Sequence, residues 1–274
     1  MVRFFVPGKE FPAVSVTGSQ CALGCLHCEG HFLKGMTPVQ NPSHLWEFAT
    51  NLERNGGTGF LLSGGCDAKG RVPMSEYGKV LRRIKRETDL LVNVHPGIVG
   101  AEEVEMLSSC EVDSVSVDVI GSTRTLRDIY RMDRTVSSIE TSLRLLSEAS
   151  VPLTPHVCVG VHGGYLIGET RALDIASEAN PSALVITALL PVKGLAFESV
   201  RTDPNLTVDF YRQARKKLPN VPIVLGCLRP RDPGTEDTLL KEGLDGIAVP
   251  HPRTLKNGGE VERTCCSLIG SRNR

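Results

Sequence analysis

The chain has 274 residues, 31 Lys+Arg against 31 Asp+Glu for a formal net charge of zero, and 41% apolar residues. That is enough for two average domains or one α/β barrel, whose usual size is about 250 residues, and the balanced charge argues against non-specific nucleic-acid or membrane binding. No apolar stretch approaches the roughly 20 residues of a membrane-spanning helix and the start, Met1–Pro7, lacks the apolar core of a signal peptide, so the expected compartment is the cytoplasm, where nine cysteines stay reduced.

Apolar strand-like runs alternate with amphipathic helical patterns along the whole chain. The expected strands are Ala13–Thr17, Gly59–Ser63, Leu90–His95, Asp113–Val119, Thr154–Gly160, Leu184–Leu190, Ile223–Cys227 and Gly246–Val249. Between them lie stripes at helical spacing: Leu45, Phe48, Leu52; Tyr77, Val80, Leu81, Ile84; and Val136, Ile139, Leu143, Leu146. Strand–helix repetition of this kind implies right-handed βαβ units and a parallel sheet. Eight units closing on themselves give a single-domain α/β fold, a (β/α)8 TIM-type barrel, over residues 1–250, followed by a C-terminal tail, 251–274. A doubly wound open sheet is the alternative.

Barrel strands show one face to the helices and the other to the lumen. Val115, Val117 and Val119 alternate with Ser114, Ser116 and Asp118, and Val157 and Val159 alternate with His156 and Cys158. The lumen is therefore expected to be partly polar, lined by Asn93, His95, Ser116, Asp118, His156 and Cys158, which suits a polar ligand.

Directly after the first strand comes Cys21-Ala-Leu-Gly-Cys25-Leu-His-Cys28, a C-x3-C-x2-C spacing. Three thiolates on one short loop hold three corners of a cubane [4Fe–4S] cluster and leave the fourth iron without a protein ligand, unlike a four-cysteine electron-transfer cluster. An open iron can bind the amino and carboxylate groups of S-adenosylmethionine (SAM) and pass an electron to its sulfonium. A structural zinc site is the competing reading; it wants a fourth Cys or His nearby, and His27 and His31 are close in sequence.

The cysteine triplet, with His27 at the position usually aromatic, resembles the cluster motif of the radical SAM superfamily, and the resemblance extends over most of the chain. It implies a radical SAM barrel with a SAM-binding cluster on Cys21, Cys25 and Cys28, and His27 beside the adenine. Ser63-Gly64-Gly65-Cys66-Asp67 resembles the family's Gly-Gly-Glu motif for the SAM amino group, with Cys66 in place of the Glu and Asp67 or Ser63 as substitutes. Asp118 occupies a strand end where the family puts a ribose or carboxylate partner. Leu189-Leu-Pro-Val-Lys193-Gly-Leu-Ala-Phe-Glu198 resembles a segment of the biotin synthase branch that passes close to SAM.

Six cysteines remain. Cys110, at a helix end, reads as a small buried hydrophobe, and Cys158 as packing or lumen. Cys66 and Cys227 each follow a glycine at the C-terminal end of a strand, and Cys265-Cys266 lies in a tail expected to fold back across the mouth. Such thiols suggest an auxiliary [4Fe–4S] cluster on Cys227, Cys265 and Cys266, with Cys66 as a fourth ligand.

Phe60–Asp67, Ser116–Gly121, Gly226-Cys-Leu-Arg-Pro230, Asp245–Pro250 and the terminal Cys-Cys-Ser-Leu are similar to the two-protein lipoyl synthases found mainly in archaea. That resemblance implies sulfur insertion at C6 or C8 of an octanoyl chain on a lysine of a lipoyl carrier, the H protein or an E2 domain. It also implies a second radical SAM partner protein and an electron donor such as ferredoxin or flavodoxin. Arg229 and Arg231 read as exposed loop arginines, or as groups orienting SAM or the carrier. The rivals are a biotin synthase-like or hydrogenase-maturase-like enzyme acting on a small molecule, and a non-catalytic iron–sulfur or zinc scaffold.

Overall fold

The β-branched runs become strands of one sheet. In the computed structural model, which describes residues 1–271, the strands are β1 (Arg3–Phe5), β2 (Ala13–Ser15), β3 (Thr37–Pro38), β4 (Gly59–Ser63), β5 (Leu91–Val94), β6 (Ser114–Asp118), β7 (Leu153–Val159), β8 (Leu184–Ala188), β9 (Ile223–Leu225), β10 (Gly246–Ala248) and β11 (Glu260–Glu262). The eight expected strands are all present. The three additional ones are two or three residues long, too short to show a period. The last residues of the tail, 272–274, lie outside the described residues.

Every ladder is parallel, in the order β11-β1-β10-β9-β8-β7-β6-β5-β4-β2-β3. From β4 to β10 each strand lies beside its successor in sequence. The doubly wound alternative needs a reversal of that order at a switch point, so it is excluded. The fold is a curled, all-parallel half-barrel of TIM type. Its closure differs from the expected one, because β10 does not meet β2. Instead β1 and β11 extend one edge, β3 extends the other, and no ladder joins those edges among the described residues. Thr58, just before β4, reaches across the seam: its hydroxyl donates to the carbonyl of Arg263, just after β11, at 2.6 Å.

The helices are α1 (Pro42–Arg54), α2 (Gly78–Glu87), α3 (Ala101–Ser109), α4 (Thr123–Asp128), α5 (Val136–Glu148), α6 (Glu169–Glu178), α7 (Pro204–Lys217), α8 (Pro233–Lys241) and α9 (Pro252–Leu255). Asn41, Ser122, Asp203 and Asp232 cap α1, α4, α7 and α8 by accepting backbone N–H bonds. The expected stripes are buried in the core, including Leu45, Val80, Leu81, Ile84, Ile139, Leu143 and Leu146. None of these helices is long and apolar enough to cross a membrane.

Residues beyond 250 do not hang off the barrel. β11 joins the sheet, and the short turn Cys266–Leu268 enters the lumen from the end where the strands begin. There Arg3 donates to the carbonyl of Ile269 at 3.0 Å, and Gly270 lies so close to Ser182 that a Cβ would sit 2.1 Å from its carbonyl oxygen. The expected strap across the mouth is therefore a plug at the opposite end. Burial explains the choice: Cys266 and Ile269 pack with Phe5, Val185, Val224 and Ala248, worth about 1.5–3 kcal/mol for a fully buried side chain of Ile size. Across the mouth, those groups would face water.

Candidate functional site

The C-terminal ends of β2 and β4 carry two loops that lock together. After β2 the chain turns at Gly18, Gly24 and Gly30, whose φ values are 59°, 60° and 71°, a region where a side chain is strained. Thr17 fastens the first turn: its hydroxyl donates to the Gln20 carbonyl at 2.9 Å and accepts from Gly65 N–H at 2.7 Å. Ala22 N–H then donates to Cys66 carbonyl at 2.8 Å, and Leu26 N–H to Ile129 carbonyl at 2.9 Å. Cys25 Sγ lies 3.4 Å from the Tyr130 carbonyl. Cys21, Cys25 and Cys28 thus share one anchored loop, with Cys66 facing it from the end of β4.

The electrostatics of this group are those of a site for soft cations. Burial pushes the Cys25 thiol up to about 12, with Cys28, Cys21 and Cys66 adding to the effect. Burial likewise takes Cys66 to about 12, reinforced by Cys21, Asp118, Asp67 and Cys28, and burial raises Cys28. No Lys or Arg is among the main causes of these shifts. Cys25, Cys28 and Cys66 therefore hold their protons until a metal displaces them. Among the described residues, no three of them lie within 4.8 Å of one another, whereas tetrahedral zinc at 2.3 Å would bring sulfurs to about 3.8 Å. The donor type and the wider spacing fit an iron–sulfur cluster.

The Gly-Gly segment has a packing role that its sequence did not reveal. A Cβ on Gly65 would lie 1.9 Å from the Gln20 carbonyl oxygen and 2.7 Å from Cys21 Cβ, so this glycine lets the cysteine loop pass. Asp67 is occupied locally, its carboxylate accepting from Lys69 and Arg71 N–H at 2.8 and 3.0 Å. Ser63 donates to His95 carbonyl at 3.0 Å. Lys193 is exposed on the loop after β8, without a hydrogen-bond or ion-pair partner among the described residues.

Beneath the loops lies the polar side of the lumen, lined as expected. His95 Nε2 stands 3.6 Å from Asp118 Oδ2. Burial works to raise Asp118, yet His95, with His156 and His27, holds it down at about 2. Burial opposes the charging of His95, but Asp118 raises it on balance. Burial and the His95 charge lower His156 to about 4. His27 stacks at a tilt on Tyr130, 4.8 Å between centroids, with a buried Nδ1 that has no partner. Deeper, Ser116 Oγ donates to Asn93 Oδ1 at 3.0 Å, and burial drives Cys158 to about 12.

The four cysteines expected around an auxiliary cluster are not all brought together. Cys66 lies with the first triplet. Cys227, Cys265 and Cys266 stand close enough to act on one another's thiols, Cys266 from within the apolar plug. A thiol bond from Cys266 lowers Cys265, and Asn93 Nδ2 donates to Cys265 Sγ at 3.4 Å.

Arg229 is not an exposed loop residue. It is buried with Glu236, donates to the Gly226 and Ala248 carbonyls at 2.6 and 2.9 Å, and so pins the turn carrying Cys227. Arg231 is exposed, as a loop residue would be. Ser267 and Glu236 were missed because an isolated Ser or Glu gives no sequence signal for burial.

No protein-family model and no curated protein matches the sequence. Solved structures do. The [FeFe]-hydrogenase maturase HydG is similar over 90% of this chain and 56% of its own, at 14% identity and a TM-score of 0.67. Methylornithine synthase PylB is similar over 92% of this chain and 73% of its own, at 14% identity and 0.65. Streptococcus suis SuiB, solved with SAM bound, is similar over 90% and 51%, at 9% identity and 0.57. This chain thus spans little more than half of HydG and SuiB. At such identities the likeness is one of fold.

Proposed function

We propose that this protein is a radical SAM enzyme whose cluster is held by Cys21, Cys25 and Cys28, and that its reaction is sulfur insertion into an octanoyl-lysine chain. The observation carrying the first part is the anchored loop of three thiols, faced by Cys66, at the C-terminal end of a half-barrel wall like that of HydG and PylB. When bound, the cluster and SAM would supply a 5′-deoxyadenosyl radical, and an auxiliary cluster would supply sulfide.

The chain's own residues have the remaining tasks. His27, half-buried beside Tyr130, offers a flat surface to an adenine. The Gly64–Gly65 turn offers backbone at the cluster loop. Asp118 offers the carboxylate oxygen that His95 does not hold. Lys193, exposed and unpaired, is free to meet a carboxylate. Asp67 is tied into its own turn, so the SAM amino group falls to Ser63 or to the backbone. Support for sulfur insertion is the second thiol pair, Cys227 and Cys265, in the lumen; the carrier protein, second radical SAM partner and electron donor follow from that reading.

The test is anaerobic reconstitution with iron and sulfide counting, alongside Cys21→Ala/Cys25→Ala/Cys28→Ala. About eight irons falling to about four in the variant, with 5′-deoxyadenosine release and sulfur transfer to an octanoyl-lysine peptide, is the expected result. About four irons falling to none would leave a radical SAM enzyme without a sulfur donor and end the lipoyl assignment. Zinc without sulfide would end both.

A further inference from the structure

The lumen holds a second set of metal-ligating side chains that the cysteine chemistry does not use. His95, Asp118 and His156 come from the ends or middles of three adjacent strands, β5, β6 and β7, with Asp118 in register with His156. One nitrogen of each ring and a carboxylate oxygen all lie within 4.8 Å of one another. One edge of that triangle, His95 Nε2 to Asp118 Oδ2, is already 3.6 Å. Ligands about 2.1 Å from a tetrahedral ion stand roughly 3.4 Å apart.

Hydrogen bonds beneath the triad hold the His156 ring. Asn93 Nδ2 donates to Cys265 Sγ at 3.4 Å, so its Oδ1 accepts the proton of Ser116 Oγ at 3.0 Å. The same hydroxyl donates toward Ser267 Oγ at 3.0 Å, so it shares its one proton between the two acceptors. Ser267 Oγ lies 3.1 Å from His156 Nε2 and hydrogen-bonds it, leaving Nδ1 as the ring nitrogen without a hydrogen bond among the described residues. His95 Nε2 is turned to Asp118 Oδ2, 3.6 Å away. His156 thus has one nitrogen tied down and the other turned free, the arrangement that orients metal-bound histidines.

We propose that His95 Nε2, His156 Nδ1 and Asp118 Oδ2 form a mononuclear site for a divalent first-row transition metal, separate from the cysteine loop. Two imidazoles and one carboxylate are the donor set of open, chemically active sites for such metals. Asp118 is the most solvent-accessible of the three, its side chain 51% exposed against 22% for His95, so the remaining coordination positions face the open lumen. Ser267 is a positioning residue: supplied by the tail plug, it holds the His156 ring through Nε2. The proposal does not rest on radical SAM chemistry.

The experiment uses the full-length chain carrying Cys21→Ser/Cys25→Ser/Cys28→Ser, stripped of metal, checked for fold by circular dichroism and titrated with Co²⁺. The expected result is one Co²⁺ per chain, with d–d absorption and no thiolate-to-cobalt charge-transfer band. Adding His156→Gln or Asp118→Asn should weaken binding at least 100-fold, and Ser267→Ala about 10–100-fold. If the cysteine variant does not fold, the reconstituted wild type replaces it. One metal per chain beyond the cluster iron should then be lost in His156→Gln, with sulfide unchanged. Absence of Co²⁺ binding, a charge-transfer band, or binding indifferent to His156→Gln would each overturn the proposal.

Discussion

Gly65→Ala isolates what the Gly-Gly turn does. Its Cβ would sit 1.9 Å from Gln20 O and 2.7 Å from Cys21 Cβ, whereas comfortable contacts begin near 3.5 Å. The Gln20 carbonyl would have to retreat by roughly 1.5 Å, and it is backbone already fastened by Thr17. Overpacking of this kind costs about 1–3 kcal/mol, a fall in Tm of roughly 2–12 °C for a chain of this size. The consequence for the site is larger, since a misplacement of about 1 Å is worth roughly 100-fold in a reaction that needs alignment. Gly64→Ala is the control: its Cβ meets Thr17 Oγ1 and Val72 at 3.1 Å and Val16 at 3.2 Å, side chains that yield by a few tenths of an ångström. Anaerobic reconstitution followed by iron and sulfide analysis should find the Gly65→Ala cluster largely absent and the Gly64→Ala cluster retained. Full iron in Gly65→Ala with loss of SAM binding alone would refute the packing argument and hand this glycine to SAM.

Glu236→Ala should cost about 3–5 kcal/mol, or roughly 6–20 °C in Tm, because it strands the Arg229 guanidinium where the pair is only 3% and 1% exposed; Arg229→Met/Glu236→Leu should recover most of it in the same melts. Asp118→Asn should lower the His95 pKa in an NMR titration, since burial then loses its main opponent. Asp118, held at about 2, stabilises above its unfolded value near 3.9 and loses that as pH falls, while His95, raised, stabilises below its unfolded value near 6.5 and loses that as pH rises. Urea unfolding should therefore show the Asn variant's deficit greatest between about pH 4 and 6.5, and a deficit flat across pH would contradict the ion pair. Ile269→Ala should destabilise by about 2–5 kcal/mol in urea, and a change below 1 kcal/mol would mean the tail plug contributes little to the fold.

The wall of the barrel was legible because its strands are rich in Val and Ile and its lumen face alternates with period two. Thus Ser116, Asp118 and His156 could be placed inward from the sequence alone. β1, β3 and β11 were not, because two or three residues carry no period; they decide how the sheet ends, and so an expected closed barrel is an open-edged one. The Cys21, Cys25 and Cys28 loop was readable because its spacing is local. Cys66 was readable only as a residue after a strand, and which cysteines it joins depends on how far the β4 loop leans toward the β2 loop. Arg229 looks like a loop arginine in sequence, and only the Glu236 carboxylate seven residues later, carried on α8, reveals it as buried.

The tail ties these observations into one consequence. Cys266 and Ile269 seal the apolar side of the lumen where the strands begin, while Ser267 joins the polar side through Ser116, Thr154 and His156. With that end filled, the mouth beside the cysteine loop remains as an approach to Cys227, Cys265 and the histidine–aspartate triad. Under the proposed function, a flexible acyl-lysine arm suits that approach better than a folded domain, because only its chain has to enter.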